Sequence, residues 1–176
     1  MEKAIHKAYE ENVSKDLRPE FRMIHEYPLD GTPPMMTHIF ENKNGVRIVA
    51  AKGAPERILS VSNLNEKEKN KILQQLHQLT LEGYRVLGVV SATFEGAHFP
   101  KEQDDFDFKF IGLVSFYDPP KKNITEVFNS FYDAGIQVKI VTGDNKATTE
   151  TIAGQVGFRG AEHALDGEEL IDMERE

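Results

Sequence analysis

"MMTHIFENKNGVRIVAAKGAPERIL", residues 35–59, is the stretch from which the fold class follows. Its first eight residues and residues 46–51 are short runs rich in β-branched and apolar side chains, with Asn44-Gly45 between them. Both turn residues tolerate positive φ, so the pair predicts a β-hairpin. In "KGAPERIL", Pro55 suits the first turn of a short helix, because proline gives up only an amide that a helix start leaves unpaired anyway.

Working outward, "RMIHEYPL" from Arg22 is a further extended run, turned back by Pro33-Pro34. On the other side, residues 66–82 form a helix: Asn65 can cap it with Glu68 three positions on, Ile72, Leu76 and Leu79 line one face, and Gly83 suits a left-handed stop. Two more strands follow, "YRVLGVVSATF" and "FKFIGLVSFY", joined by "EGAHFPKEQDDFD". That acidic segment lacks the spaced ligands, central glycine and terminal glutamate of an EF-hand loop, so it reads as a solvated connection. Residues 2–13 place Ile5, Ala8, Tyr9 and Val13 at helical spacing, which predicts an amphipathic first helix. Beyond Asp118, "DPPKKNITEVFNSFYDAGIQVKIVTGDNKATTETIAGQVGF" runs strand end, helix, strand, helix, a βαβ unit of a parallel sheet. The expected fold class is therefore α/β (α+β): an antiparallel sheet flanked by helices over 1–112, followed by a partial parallel-sheet segment over 113–176.

Composition narrows the function. Twenty-nine acidic against 21 basic residues give a net charge of −8, so no general field attracts nucleic acid or an anionic membrane, and any bound anion needs a local site. Cysteine is absent, which excludes disulfides and thiolate metal sites. The six histidines are scattered, with no pair at metal-ligand spacing. No apolar run approaches the ~20 residues that span a bilayer.

In an open parallel sheet, ligands gather beyond the carboxyl ends of the strands. Asp118 and the turn Thr142-Gly143-Asp144 fall at two such ends. The Thr142 hydroxyl and the amides at Gly143 can donate to phosphate oxygens, and the following helix adds its positive end. Asp144 can accept from a ligand hydroxyl, orient a lysine or contact a cation. The plainer alternative is that Asp144 or Asn145 merely caps the helix. Lys52 ends a strand before Gly53, where a ligand can approach the backbone; Arg85 begins a strand and can pair with phosphate; Glu2 stands in a first helical turn. Each has an ordinary surface role as its alternative. No serine or threonine has a histidine and a carboxylate at motif spacing, and neither a Walker loop nor a dinucleotide fingerprint is present.

In order, "KGAPERIL", "GYRVLGVV", "DPPKKNI" and "AGIQVKIVTGDNKATTETIA" resemble the successive cytoplasmic signatures of P-type cation-transporting ATPases, over essentially the whole chain, and "MEKAI" resembles the end of a family segment Asp-Pro-x-Glu-x-Ala. The resemblance implies an N domain that holds ATP, inserted into a haloacid-dehalogenase-like P domain that takes the γ-phosphoryl group on an aspartate. It assigns Glu2 to the adenine end of the nucleotide site, Lys52 to the depth of that pocket, Arg85 to the nucleotide phosphates, Asp118 to the hinge, and Thr142, Gly143 and Asp144 to the phosphate side. It further implies magnesium in the parent, with ligands largely outside this chain. The chain would be the cytoplasmic part of an integral membrane pump, partnered by the remaining P, actuator and transmembrane domains. The absence of heavy-metal cysteine motifs favours the calcium, sodium/potassium or proton branches, with calcium the expected ion.

The sequence departs from the family where an adenine-stacking phenylalanine and, five residues later, a lysine are usual: here stand Leu29 and Pro34. Nucleotide binding is therefore expected to be weak, with Met35 or Met36 filling the gap. The acceptor aspartate of an Asp-Lys-Thr-Gly motif is not in the sequence, so no catalytic residue is assigned and no hydrolysis is expected from this chain. Two alternatives remain at this point. One is an interaction module that binds no nucleotide. The other is a dehalogenase-like phosphatase, for which Asp105-Phe106-Asp107 precedes a strand where it should follow one. A partial parallel sheet after residue 118 is also expected to expose edges that favour self-association.

Overall fold

The computed structural model describes residues 2–144 and 146–173, apart from the side chains of Glu2, Glu168 and Asp172. It divides into two compact units, one up to Leu73 together with Val86–Val114, the other Gln74–Arg85 with Ser115 onward.

The hairpin forms as β2 (Met35–Asn42) and β3 (Arg47–Gly53), paired antiparallel with Met35 opposite Gly53, Thr37 opposite Ala51 and Ile39 opposite Val49. Its turn differs in one respect from the expectation. Only Gly45 has positive φ, at 76°, and the loop is closed by the Asn42 side chain, whose Oδ1 accepts the amides of Asn44 and Val46, each at 2.9 Å. A longer loop with one left-handed glycine carries the strand twist as well as a two-residue turn does, without forcing Asn44 into a costly conformation.

Around the hairpin lie β1 (Phe21–Asp30), β4 (Arg85–Thr93) and β5 (Lys109–Phe116), and the five-stranded sheet follows chain order, β1-β2-β3-β4-β5. Every second residue of the central strands faces the core: Met35, Thr37 and Ile39, then Val49 and Ala51, then Val90 and Ala92. Ile58 of α2 (Pro55–Ser60) packs on this face, and Pro55 opens that helix as expected.

The β4–β5 connection is more than a solvated loop. It places Phe99 and Phe106 on the core beside Phe94 and Phe108, with Phe106 5% exposed and its ring 5.5 Å from Phe94 and 5.8 Å from Phe108. Gln103 binds the sheet from the same loop: its Oε1 accepts the hydroxyl of the fully buried Thr37 at 2.9 Å, and its Nε2 donates to the Met35 carbonyl at 3.1 Å. Acidic neighbours hid this role from the sequence, because aromatic residues without a regular period give no strand or helix signal.

α3 (Glu66–Leu81) has the predicted ends. Asn65 Oδ1 accepts the Glu68 amide and Glu68 Oε2 accepts the Asn65 amide, both at 3.0 Å. At the other end Gly83 has φ 82°, and the Tyr84 amide reaches back to the Leu79 carbonyl at 3.0 Å.

α1 (Glu2–Asn12) forms, but its apolar stripe is not buried: Ile5 is 41% exposed and Val13 39%. What engages the helix is the segment that follows it: the Tyr9 hydroxyl donates to Asp16 Oδ1 at 3.2 Å and accepts the Leu17 amide at 3.4 Å, and the other contacts come from Arg18. Its Nε and Nη2 donate to the two Asp16 oxygens, each at 2.9 Å, its Nη1 donates to His6 Nδ1 at 2.9 Å, and its guanidinium lies 4.4 Å from the Tyr9 ring centre. The Arg18 side chain, then its amide, hold the Asp16 carboxyl down to about 2 from its ordinary 3.8. A lowered carboxylate stabilises above its ordinary value and stops doing so as pH falls through the folded one. The Arg18–Asp16 pair is therefore expected to hold from neutral pH to about 4 and to open between about 4 and 2, read from the Asp16 carboxyl carbon shift.

In the second unit, α4 (Ile124–Asp133), α5 (Lys146–Gln155) and the short α6 (Gly167–Asp172) form. Phe128 meets Phe158 at 5.5 Å, and the Thr125 hydroxyl donates to the Val156 carbonyl at 3.1 Å. The parallel strand expected at "IQVKIV" does not form, so the βαβ reading is corrected: residues 136–141 belong to no ladder, with Ile140 44% and Val141 96% exposed. A parallel strand takes its backbone partners from its neighbours, and among the described residues none pairs with this segment. The apolar pattern is present but its partners are not.

Candidate functional site

Lys52 lies on β3 between buried Ala51 and Gly53, so alternation turns its side chain to the face opposite the core, where it is exposed. Register sets Met36 of β2 on one side of it and Val89 of β4 on the other, both half-buried. Next to Met36 the ladder slips. Tyr27 pairs with Thr37 and Asp30 with Met35, so Pro28 and Leu29 together oppose Met36 in a β-bulge. Leu29, 63% exposed, thus extends a row of Leu29, Met36, Lys52 and Val89 across four strands. Alternation also separates the two methionines: Met35 is fully buried in the core, and Met36 alone shares the face of Lys52.

The space at Gly53 is taken by protein. A Cβ there would lie 2.5 Å from the Pro34 carbonyl oxygen and 2.8 Å from Met35 Cα. That carbonyl also accepts the Ala54 amide at 2.9 Å. The glycine next to Lys52 therefore admits the β1–β2 turn, and Pro34 sits at that contact with no side-chain donor of its own. Glu2 opens α1, and its side chain lies outside the described residues.

In the second unit, Arg85 and Asp144 come together. Arg85 Nε donates to Asp144 Oδ1 at 2.8 Å, with the two side chains 46% and 27% exposed. The Asp144 amide donates to the Thr142 hydroxyl at 3.1 Å, which closes the Thr142-Gly143-Asp144 turn ahead of α5. Thr142 and Asp144 edge a cleft of about 220 Å³, with Lys121 on its polar side and Phe128, Ile140 and Ile152 among its apolar walls. Asp118 follows β5 and is exposed. Asn145, the other candidate cap, lies outside the described residues. Both members of the Arg85–Asp144 pair were legible as candidates, but their pairing was not, since no local spacing relates a strand start to a distant turn.

Among the described residues, no group of three or more histidine, aspartate or glutamate side chains could hold a metal ion, and no helix is long and apolar enough to cross a membrane.

Residues 1–123 match the family described as P-type ATPase, cytoplasmic domain N. Among curated proteins, the chain is 35% identical over 154 residues to the sodium/potassium exporting P-type ATPase cta3 of Schizosaccharomyces pombe, covering 82% of this chain and 15% of that protein. It is 28% identical over 167 residues to the endoplasmic reticulum-type calcium-transporting ATPase 4 of Arabidopsis thaliana, covering 76% and 16%. It is 26% identical over 168 residues to a calcium-transporting ATPase of Bacillus subtilis, covering 89% and 19%. The chain thus spans less than a fifth of the length of these relatives. With the antiparallel sheet and the ordered "KGAPE", "DPPK" and "TGDN" segments in place, the match over residues 1–123 shows that this chain belongs to the P-type ATPases and carries their cytoplasmic N domain.

Proposed function

We propose that the chain is the ATP-holding part of a cation-transporting P-type ATPase, with residues 1–112 as the nucleotide-binding domain and 113–176 as part of the phosphorylation domain. The observation that carries this reading is the row Leu29, Met36, Lys52 and Val89: one ammonium set in an apolar strip on the open face of the sheet. Adenine packs on Met36 and Leu29, and Lys52 lies deep in the same pocket beside Met36. Polarizable Met36 replaces part of an aromatic stack worth ~1–3 kcal/mol per base elsewhere, which makes for weak, millimolar-range binding. Glu2 serves the adenine end, while Arg85, Thr142, Gly143 and Asp144 serve the phosphate side and Asp118 the hinge.

A hydrogen bond from a charged group contributes about 1.5–3 kcal/mol, so Lys52→Ala is expected to weaken ATP binding by roughly 10- to 100-fold, measured by amide-shift titration. An unchanged dissociation constant would favour the second reading, an interaction module without nucleotide, for which the exposed Leu29 and the donorless Pro34 speak.

For the parent, we infer ATP hydrolysis through an aspartyl phosphate coupled to cation export. Sodium/potassium exporters and calcium pumps both stand among the relatives, which supports an alkali cation or calcium as the transported ion. Phosphoryl transfer needs positioning plus an acceptor, and this sequence has no Asp-Lys-Thr-Gly acceptor, so the chain alone binds without hydrolysing. Its described residues do not form a magnesium site by themselves, since the Asp144 carboxylate is engaged by Arg85.

A further inference from the structure

Alternation along β2 puts Met36, His38 and Phe40 on the open face of the sheet, each half-buried, while Met35, Thr37 and Ile39 turn to the core. His38 therefore stands one step along the strand from Met36, about 6.5–7 Å at the backbone. Its ladder partners are Glu26 on β1 and Ala50 on β3, and directly opposed residues share a face. The row Glu26, His38 and Ala50 thus runs beside the row Leu29, Met36 and Lys52 on the same surface.

His38 Nε2 and Glu26 Oε1 lie 3.9 Å apart, with the two side chains 29% and 45% exposed. That separation is too long for a hydrogen bond, and among the described residues neither side chain makes one. Phe40 holds the imidazole from the next position along β2, the ring centres 6.0 Å apart and the planes at 82°. Ala50, opposite on β3, contributes only a methyl, which leaves room for a flat ligand beside the ring. As a plain cross-strand ion pair, Glu26 and His38 would contribute little, and only with His38 protonated. Set among Met36, Phe40 and Ala50, they are instead a donor and an acceptor that still lack partners.

We propose that Glu26 and His38 read the edge of the adenine base, Glu26 accepting from the N6 amino group and His38 donating a ring N–H to N7. The inference rests on the reading of Leu29, Met36 and Lys52 as the nucleotide site, and gives that apolar platform a polar end. An ionised carboxylate only accepts, and a neutral imidazole has one N–H to give. Adenine carries the complement on neighbouring atoms of one edge, the amino donor beside the N7 acceptor. A base packed on Met36 reaches both side chains without leaving the sheet face, because one step along the strand is comparable to the length of a purine.

The test uses the full chain with its Glu26→Ala and His38→Phe variants, each titrated by amide shifts with ATP, with purine riboside triphosphate, which lacks the amino group, and with 7-deaza-ATP, which lacks N7. Both positions are on the open face, so unchanged shifts of the core-facing sheet amides check that the fold survives. The unaltered chain binds purine riboside triphosphate about tenfold more weakly than ATP, and 7-deaza-ATP about threefold more weakly. Glu26→Ala removes the first difference and keeps the second, whereas His38→Phe removes the second and keeps the first. This crossed pattern is one that a general loss of stability or of charge would not produce. Equal binding of all three nucleotides by the unaltered chain, or differences that survive in the matching variant, would overturn the proposal while leaving the nucleotide reading intact. That reading fails separately, and the proposal with it, if millimolar ATP shifts no amides around Met36 and Lys52 of the unaltered chain.

Discussion

Gly53→Ala is expected to destabilise the first unit by about 3 kcal/mol, the upper end for one added methyl in a tightly packed place. The cost is steric, since Gly53 is not among the glycines with positive φ. The new Cβ would meet the Pro34 carbonyl oxygen at 2.5 Å and Met35 Cα at 2.8 Å, and both are backbone atoms that cannot rotate away. Each is also held: the carbonyl by the Ala54 amide at 2.9 Å, Met35 by full burial and by its ladder position opposite Gly53. Relief requires the β1–β2 turn to lift from the end of β3, which would shift Met36 away from Lys52. Urea denaturation should therefore show the loss of stability, and ATP affinity should fall with it. A change in stability below about 0.5 kcal/mol, the ordinary surface range, would show that the turn yields without cost.

The second large effect is expected at Phe108. Its side chain is fully buried, it lies against Phe106, and it belongs to the cluster that includes Ile39, Val49, Ile58 and Val90. Its backbone is equally committed, bridging Ser62 and accepting the Asn63 amide at 3.0 Å. Those bonds prevent the chain from closing over a vacated ring, so Phe108→Ala should leave a cavity and lower stability by about 3–5 kcal/mol. Calorimetric or denaturant unfolding measures it. A loss under about 1 kcal/mol would mean that the aromatic loop repacks freely.

Loss of the Phe108 ring matters to the candidate site because core and site are opposite faces of one sheet. Val49, Ala51 and Val90 face the phenylalanines, while Ala50, Lys52 and Val89 face the other way. A strand that settles toward a cavity carries its outward residues with it, so the placement of Lys52 and Val89 depends on the aromatic core behind the sheet.

The hairpin, the α3 capping box, Pro55 at the head of α2 and the Gly83 stop were all readable from residues 35–83, because each is a contact between neighbours a few positions apart. Lys52, Arg85 and Asp144 were also nameable singly, from residue type and place at a strand end or turn. Other features depended on which distant segments meet. Phe99 and Phe106 became core because the sheet offered an apolar face, and Ile5 and Val13 stayed exposed because no such face met α1. Residues 136–141 have a strand's composition and no ladder partner among the described residues, since a ladder is a property of two segments and composition belongs to one. In the same way, a bulge at Pro28-Leu29 and the alternation of β2 selected Met36 over Met35 beside Lys52, and folding brought Arg85 to Asp144 and Arg18 to α1. Local chemistry is written residue by residue, whereas register, pairing and burial exist only once remote parts of the chain share a surface.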